Sequence, residues 1–169
     1  MLSLSKNLLR FTPLLLALPF GLVLAPDQDA DDDARRDELH QEVLEFVDGY
    51  LAAFNTRDEE GIRAVCSTDD SFAWYEDGTL RYESADAILE AFAAFPEDMS
   101  FTTEFRDTRV RVLSTGEVPA ATIATLYRTE IGGSMSFVFE GAQVLVLQRE
   151  EESWRIVLGH SSSARTEER

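Results

Sequence analysis

The 169-residue chain holds a single cysteine, Cys66, and two histidines, His40 and His160. One thiol cannot close an internal disulfide, and one thiol with two imidazoles is too small a set for a zinc cluster, so neither a metal nor another cofactor is expected. Base is scarce too: 15 Lys and Arg stand against 32 Asp and Glu, a net charge of −17. Such a surface repels phosphate backbones and anionic lipid, which excludes nucleic acid as a partner. No apolar run reaches the ~20 residues of a membrane-spanning helix, and no internal repeat of useful length is present. What the chain does have is 44% apolar residues, enough to bury the core of one ordinary domain.

Residues 1–25 are a separate object. Lys6 and Arg10 precede an uncharged run from Phe11 to Pro26, with Leu14-Leu15-Leu16-Ala17-Leu18 inside it, the basic-then-apolar layout of a secretory signal. The run has 16 residues and is interrupted by Pro13, Pro19 and Gly21, so it reads as a cleaved signal peptide rather than a retained N-terminal anchor. Val23-Leu24-Ala25 offers the small residues a peptidase requires, although Pro26 follows directly. The expected location is secreted or periplasmic, with membrane attachment only through an uncleaved leader. Residues 26–38 carry seven acids, two arginines and no large apolar side chain, and are expected as an acidic, solvated, disordered linker. Their aspartates lack the spacing of a calcium-binding loop.

From Leu39 the pattern is helical. Leu39, Val43, Phe46, Val47, Tyr50, Leu51 and Phe54 recur at three- and four-residue steps, with Glu42, Glu45 and Asp48 on the other side. A short second helix carries Ile62, Val65 and Cys66, which makes Cys66 a small core residue. Two short aromatic strands, 71–75 and 79–83, flank Asp77-Gly78, a hairpin signal. Ser84 caps a third helix that ends before Pro96. Beyond it, alternation of apolar and polar residues predicts strands around 101–105, 110–112, 123–131, 137–147 and 154–160. Period two puts Trp154, Ile156, Leu158 and His160 on one face, and Gly141 marks a bulge or burial on both faces. Helices first and antiparallel strands afterwards predict an α+β fold with the helices covering one sheet face.

The order of these elements, with Tyr50-Leu51-Ala52-Ala53-Phe54-Asn55-Thr56-Arg57-Asp58 near the start and Trp154-Arg155-Ile156-Val157-Leu158-Gly159-His160-Ser161-Ser162 at the end, resembles the SnoaL-like branch of the nuclear transport factor 2-like superfamily. The resemblance covers residues 39–163 and leaves 164–169 as a polar tail. It implies three N-terminal helices packed on a strongly curved antiparallel sheet, the cystatin-like cone, with a pocket between the long helix and the sheet. It also implies a homodimer through the outer sheet face.

Such a pocket would take a small hydrophobic molecule. Candidate lining residues are Tyr50, Phe54, Trp74, Tyr127, Phe139 and Trp154, with Phe72 and Phe137 also considered; taken singly, each reads first as core, since aromatic side chains dominate cores. Two residues could do chemistry. Asp70, at the acidic position before the first strand, could remove a proton beside a carbonyl if an apolar wall raised its pKa. His160 could act as acid, base or hydrogen-bond donor. Their bland readings are a solvated loop aspartate and a structural histidine. Three functions therefore stand open: an exported binding module, an isomerase, cyclase or lyase of the ketosteroid isomerase or polyketide cyclase kind using Asp70 and His160, and a dimerising interaction domain.

Overall fold

A computed structural model describes residues 28–70, 72–133 and 136–166. The signal-peptide reading of residues 1–25 lies outside the described residues. The elements run α1 (Gln28–Thr56), α2 (Glu59–Val65), β1 (Ala73–Glu76), β2 (Thr79–Tyr82), α3 (Ala85–Ala93), β3 (Ser100–Ser114), β4 (Ala120–Gly132), β5 (Phe137–Glu150) and β6 (Ser153–Thr166). No helix among the described residues is long and apolar enough to cross a membrane.

α1 starts at Gln28, so most of the segment expected as a disordered linker is helical instead. It is solvated as expected, with residues 31–34 and 36–38 exposed. Asp31, Asp32 and Asp33 sit in the first turns, where carboxylates are favoured by the helix dipole. Arg35 pairs with Glu38 one turn on, and Arg36 Nη1 donates to Val112 O at 3.0 Å, fastening the extension to β3. The helix ends at Arg57, in the left-handed region with φ 54°, and Asp58 N closes the end on Ala53 O at 2.9 Å. Just before it, Asn55 Nδ2 donates to Thr103 O at 3.0 Å and Asn55 Oδ1 accepts from Thr103 N at 2.6 Å. One amide side chain thereby satisfies the backbone edge of β3 as a neighbouring strand would.

The six strands form one mixed sheet in the order β2-β1-β6-β5-β4-β3. All neighbours are antiparallel except β1 and β6, which run parallel. The Asp77-Gly78 hairpin forms as the sequence predicts, both residues at positive φ (50° and 79°). Its tip is tied to β6: Asp77 N donates to Ser161 O at 2.9 Å, and Ser163 N donates to Asp77 Oδ1 at 2.9 Å. β6 extends to Thr166, opposite Val138, so the expected tail at 164–169 begins as strand.

Two of the four register shifts in the sheet add to its bend. In β3 the ladder skips between Arg106 and Arg109. There Thr125 Oγ1, 3.0 Å from Arg106 O and 3.1 Å from Thr108 Oγ1, holds the extra residues in place. In β6, Leu147 pairs with Ile156 but Val146 pairs with Leu158, leaving Val157 as an unpaired extra residue. A bulge raises local twist and turns the following side chains to the opposite faces.

The narrow end of the cone is solid. Leu39, Val43 and Val47 of α1, Ile62 and Cys66 at α2, and Ile123, Leu145, Leu147, Trp154 and Ile156 of the sheet are buried in one cluster. Cys66 is fully buried, and desolvation pushes its thiol up to about 12. It packs as a small hydrophobe.

Candidate functional site

Above that solid end the inner sheet face is banded. Pairing register places Ile123, Leu145, Gly159 and Trp74 in one row across β4, β5, β6 and β1. The next row is Thr125, Gln143, Ser161 and Glu76, and the one beyond begins with Tyr127, Gly141 and Ser163. Nearest the mouth come Thr129 beside Phe139, then Ile131. An apolar floor is thus followed by a polar belt and then by an aromatic rim. α1 crosses this face with Tyr50 and Phe54, and α3 adds Ile88, Ala91 and Phe92 from the side.

Between them lies a cavity of about 360 Å³. Its apolar wall is a chain of ring contacts: Tyr50 to Phe54 at 4.5 Å, Phe54 to Trp74 at 6.2 Å, Phe54 to Phe92 at 5.9 Å, and Phe92 to Phe101 at 5.7 Å between centroids. At the rim the Arg57 guanidinium lies 4.5 Å over the Phe101 ring, while its Nη2 donates to Met99 O at 2.7 Å.

The polar belt is mostly neutral. Gln143, 6% exposed, lies with Nε2 3.3 Å from Tyr50 Oη. Burial pushes the Tyr50 phenol well above the usual tyrosine range, so it stays protonated. Desolvation raises the Tyr127 and Tyr82 phenols as well; for Tyr127 a hydrogen bond with Ser163 acts the other way. Among the described lining residues Glu76 is the one carboxylate and Arg81 the one cation, with Arg81 Nε 3.4 Å from Glu76 Oε2. Partial burial raises the Glu76 carboxyl despite that partner.

Of the residues singled out from the sequence, Tyr50, Phe54, Trp74, Tyr127 and Phe139 line the cavity. Trp154 does not: it sits in the solid end, its Nε1 donating to Glu42 Oε2 at 3.0 Å. Phe72 is core, 2% exposed, and Phe137 packs edge-on against Phe139 at 5.0 Å. Asp70 is an exposed residue of the connection between α2 and β1. His160 is exposed on the outer face of the sheet, in register with Tyr75 and Val144. The Val157 bulge is the reason: it turns Leu158 and His160 outward and brings Gly159, Ser161 and Ser163 to the inner face. Asp70 and His160 are therefore not brought together, and neither reaches the cavity. Among the described residues no group of three or more His, Cys, Asp or Glu side chains is placed to hold a metal ion.

Sequence reasoning missed Glu76, Arg81, Tyr82, Gln143, Ser161 and Ser163. Glu76 flanks the hairpin turn and reads as turn polarity, while Arg81 reads as one of several strand arginines, an anion hook or, more commonly, a partner of acids on the outer face, and is assigned no role. Gln143 lies two residues past Gly141, where alternation gives way to the apolar run at 144–147, and Ser161 and Ser163 lie past the bulge.

The SnoaL-like domain pattern matches residues 43–166, most of the chain. The chain belongs to the SnoaL-like family. Among solved structures it is similar to the type 3 hexachlorocyclohexane dehydrochlorinase of Novosphingobium barchaimii, at 14% identity over 79% of this chain and 92% of that one, TM-score 0.62. It is similar also to a nuclear transport factor 2-like protein of unknown function from Shewanella oneidensis, at 17% identity over 72% and 97% of the two chains, TM-score 0.57. A cystatin-like fold protein from Burkholderia xenovorans shares 18% identity over 77% and 95%, TM-score 0.52. At these identities the likeness is one of fold. A comparison with curated protein sequences finds no match. For this SnoaL-like chain, function rests on the cone's own chemistry.

Proposed function

We propose that this SnoaL-like protein is an exported binding module that holds a small, largely apolar molecule in its cone. The observation that carries the reading is the cavity itself: about 360 Å³ not filled by side chains, walled by aromatic rings and crossed by a few neutral polar groups. Apolar pockets with few convergent polar groups are the usual form of small-molecule sites. Native mass spectrometry of protein purified from the cell that makes it is expected to show two things. One is a bound molecule as excess mass; the other is a chain shortened near Ala25. A full-length, ligand-free mass would count against both halves of the reading.

The proton-abstraction alternative loses its named pair, since Asp70 and His160 are both exposed away from the cavity. With naphthalene as a small apolar probe of the cavity, Asp70→Asn and His160→Ala are each expected to leave affinity within about twofold, as surface substitutions remote from a site do. A loss of tenfold or more, by equilibrium dialysis, would return these residues to the site.

A second copy of the chain is the partner we propose for the outer sheet face. Leu126, Val144 and Leu158 are 49%, 42% and 38% exposed there. They stand on three adjacent strands beside Ala142, Ala124 and Val146 in the pairing register. An apolar strip of this kind closes on itself across a two-fold axis. Sedimentation is expected to give a dimer that Val144→Arg converts to monomer; a wild-type monomer at high concentration would sink the idea.

A further inference from the structure

Glu76 is the one carboxylate among the described residues that line the cavity. It stands on the inner sheet face with Trp74, two residues earlier on β1, and Tyr82 lies opposite Trp74 on β2. Its side chain is 38% exposed, so a guest in the cavity can reach it. The charge acts across the space. Burial is the main reason the Tyr50, Tyr82 and Tyr127 phenols are raised, and the Glu76 carboxylate adds to the rise of all three. These phenols come from α1, β2 and β4, so one negative charge is felt by three walls of the cone.

That charge is only loosely answered. Arg81 Nε stands 3.4 Å from Glu76 Oε2, longer than the roughly 2.7–2.9 Å of a close charge-assisted bond. The Arg81 side chain is 55% exposed, so solvent screens the pair and competes for it. Asp77, the next residue, adds a second negative charge at the same hairpin. A further cation placed beside Glu76 would therefore meet an accessible, half-buried carboxylate whose own partner is weakly held.

What surrounds the charge is aromatic. Close to half of the described lining residues carry rings, and ring π systems attract positive charge. The protein already makes this contact once at the rim, where the Arg57 guanidinium lies over Phe101. Rings gathered around one carboxylate suit a methylated ammonium group, which has no more than one N–H to leave unpaired where a primary ammonium has three. The field of the whole chain, at −17, draws cations in and turns anions away. The cavity, at about 360 Å³, is more than twice the ~150 Å³ that accommodates benzene, which leaves room for a ring and its head group.

Resting on the reading of the cone as a binding site, we infer that its ligand is an organic cation, a compact apolar body bearing a tertiary or quaternary methylated ammonium group, held among the rings with Glu76 as its counter-ion. The body occupies the aromatic wall, and the ammonium takes the place beside Glu76 that Arg81 fills from the exposed side.

Equilibrium dialysis of the full chain against phenyltrimethylammonium, its uncharged isostere tert-butylbenzene, and benzoate tests this. The cation is expected to bind at least as tightly as the isostere, although water holds the charged molecule far more strongly, and benzoate at least about tenfold more weakly than the cation. Glu76→Gln should weaken the cation about tenfold and change the isostere less than about threefold. Arg81→Gln, which removes the internal competitor at an exposed side chain, should instead strengthen the cation about threefold, and it carries the test if the Glu76 variant does not fold. A merely structural Glu76 would move cation and isostere alike, and that result, or no gain in the Arg81 variant, would overturn the inference. Tighter binding of the isostere than of the cation, or tightest binding of benzoate, would overturn it too while leaving the cavity a binding site. Absence of binding by any probe would overturn the binding reading itself.

Discussion

Gly141→Val is expected to cost at least about 3 kcal/mol of folding stability, a fall in Tm of roughly 6–12 °C for a chain of this size. A Cβ on Gly141 would stand 1.9 Å from Ser162 O and 3.0 Å from both Ser162 C and Ser163 Cα. All three are backbone atoms of the paired strand, so relief requires prising β6 from β5 rather than moving a side chain. The same approach brings Ser163 within hydrogen-bonding reach of Tyr127, whose row it shares with Gly141. The substitution therefore strikes fold and site together: any Gly141→Val protein that still folds should also lose ligand affinity. Gly49 supplies the contrast within one chain. It is an exposed α1 residue with nothing within 4 Å of an added Cβ, so Gly49→Ala should stabilise by about 0.5–1 kcal/mol through helix propensity. Thermal unfolding followed by circular dichroism checks both, and a Gly141 variant within about 1 kcal/mol of wild type would refute the close-approach argument.

Gly141 also shows where a sequence stops being readable. Its neighbours announce a strand, and the glycine itself announces something unusual, either a bulge or burial on both faces. The ladder through Gly141 is in fact regular; the reason for glycine is a backbone crossing that only the partner strand defines. The bulge lies instead at Val157, a β-branched residue that local sequence gives no reason to suspect. From Trp154 to Ile156 period two assigns faces correctly, both being buried. One residue later the assignment inverts, and His160 leaves the site while Ser161 and Ser163 enter it. The aromatic half of the cavity escapes this problem because Tyr50 and Phe54 lie on an unbroken helix, whose 3.6-residue period carries no such slip. The polar half was illegible because its members come from β1, β2, β5 and β6, far apart in sequence, and the parallel β1–β6 pairing that aligns Glu76 with Ser161 leaves no local trace. The three helices and the hairpin could be read because each is set by neighbours in the chain: periodicity, the Ser84 cap, and Asp77-Gly78.

Glu42 was placed by the same periodicity on the solvent side of α1, and its removal should nevertheless be among the most damaging changes outside the cavity. Its carboxylate accepts from Arg149 Nη1 at 2.9 and 3.2 Å and from Trp154 Nε1 at 3.0 Å. The Glu42 and Arg149 side chains are only 28% and 22% exposed, and Trp154 is 7% exposed. One carboxylate thus answers three hydrogen bonds and clamps the first buried turns of α1 to the β5–β6 hairpin, at the solid end of the cone. Glu42→Ala strands both donors: an indole N–H with no access to bulk water and a guanidinium that keeps only partial hydration. Orphaning a buried donor costs about 1–3 kcal/mol, and a half-buried charge adds less than the 3–5 kcal/mol of a fully buried pair. The sum expected is about 2–4 kcal/mol, well beyond the 0–1 kcal/mol typical of an exposed salt bridge. Glu42→Gln, which keeps one acceptor oxygen for Trp154 but not the charge for Arg149, should fall between the two. A double-mutant cycle with Arg149→Ala separates the pair from the indole: if Arg149→Ala alone costs little while Glu42→Ala remains severe, the Trp154 bond carries the clamp. A loss below about 0.5 kcal/mol for Glu42→Ala would make it the ordinary surface residue its helical position suggests.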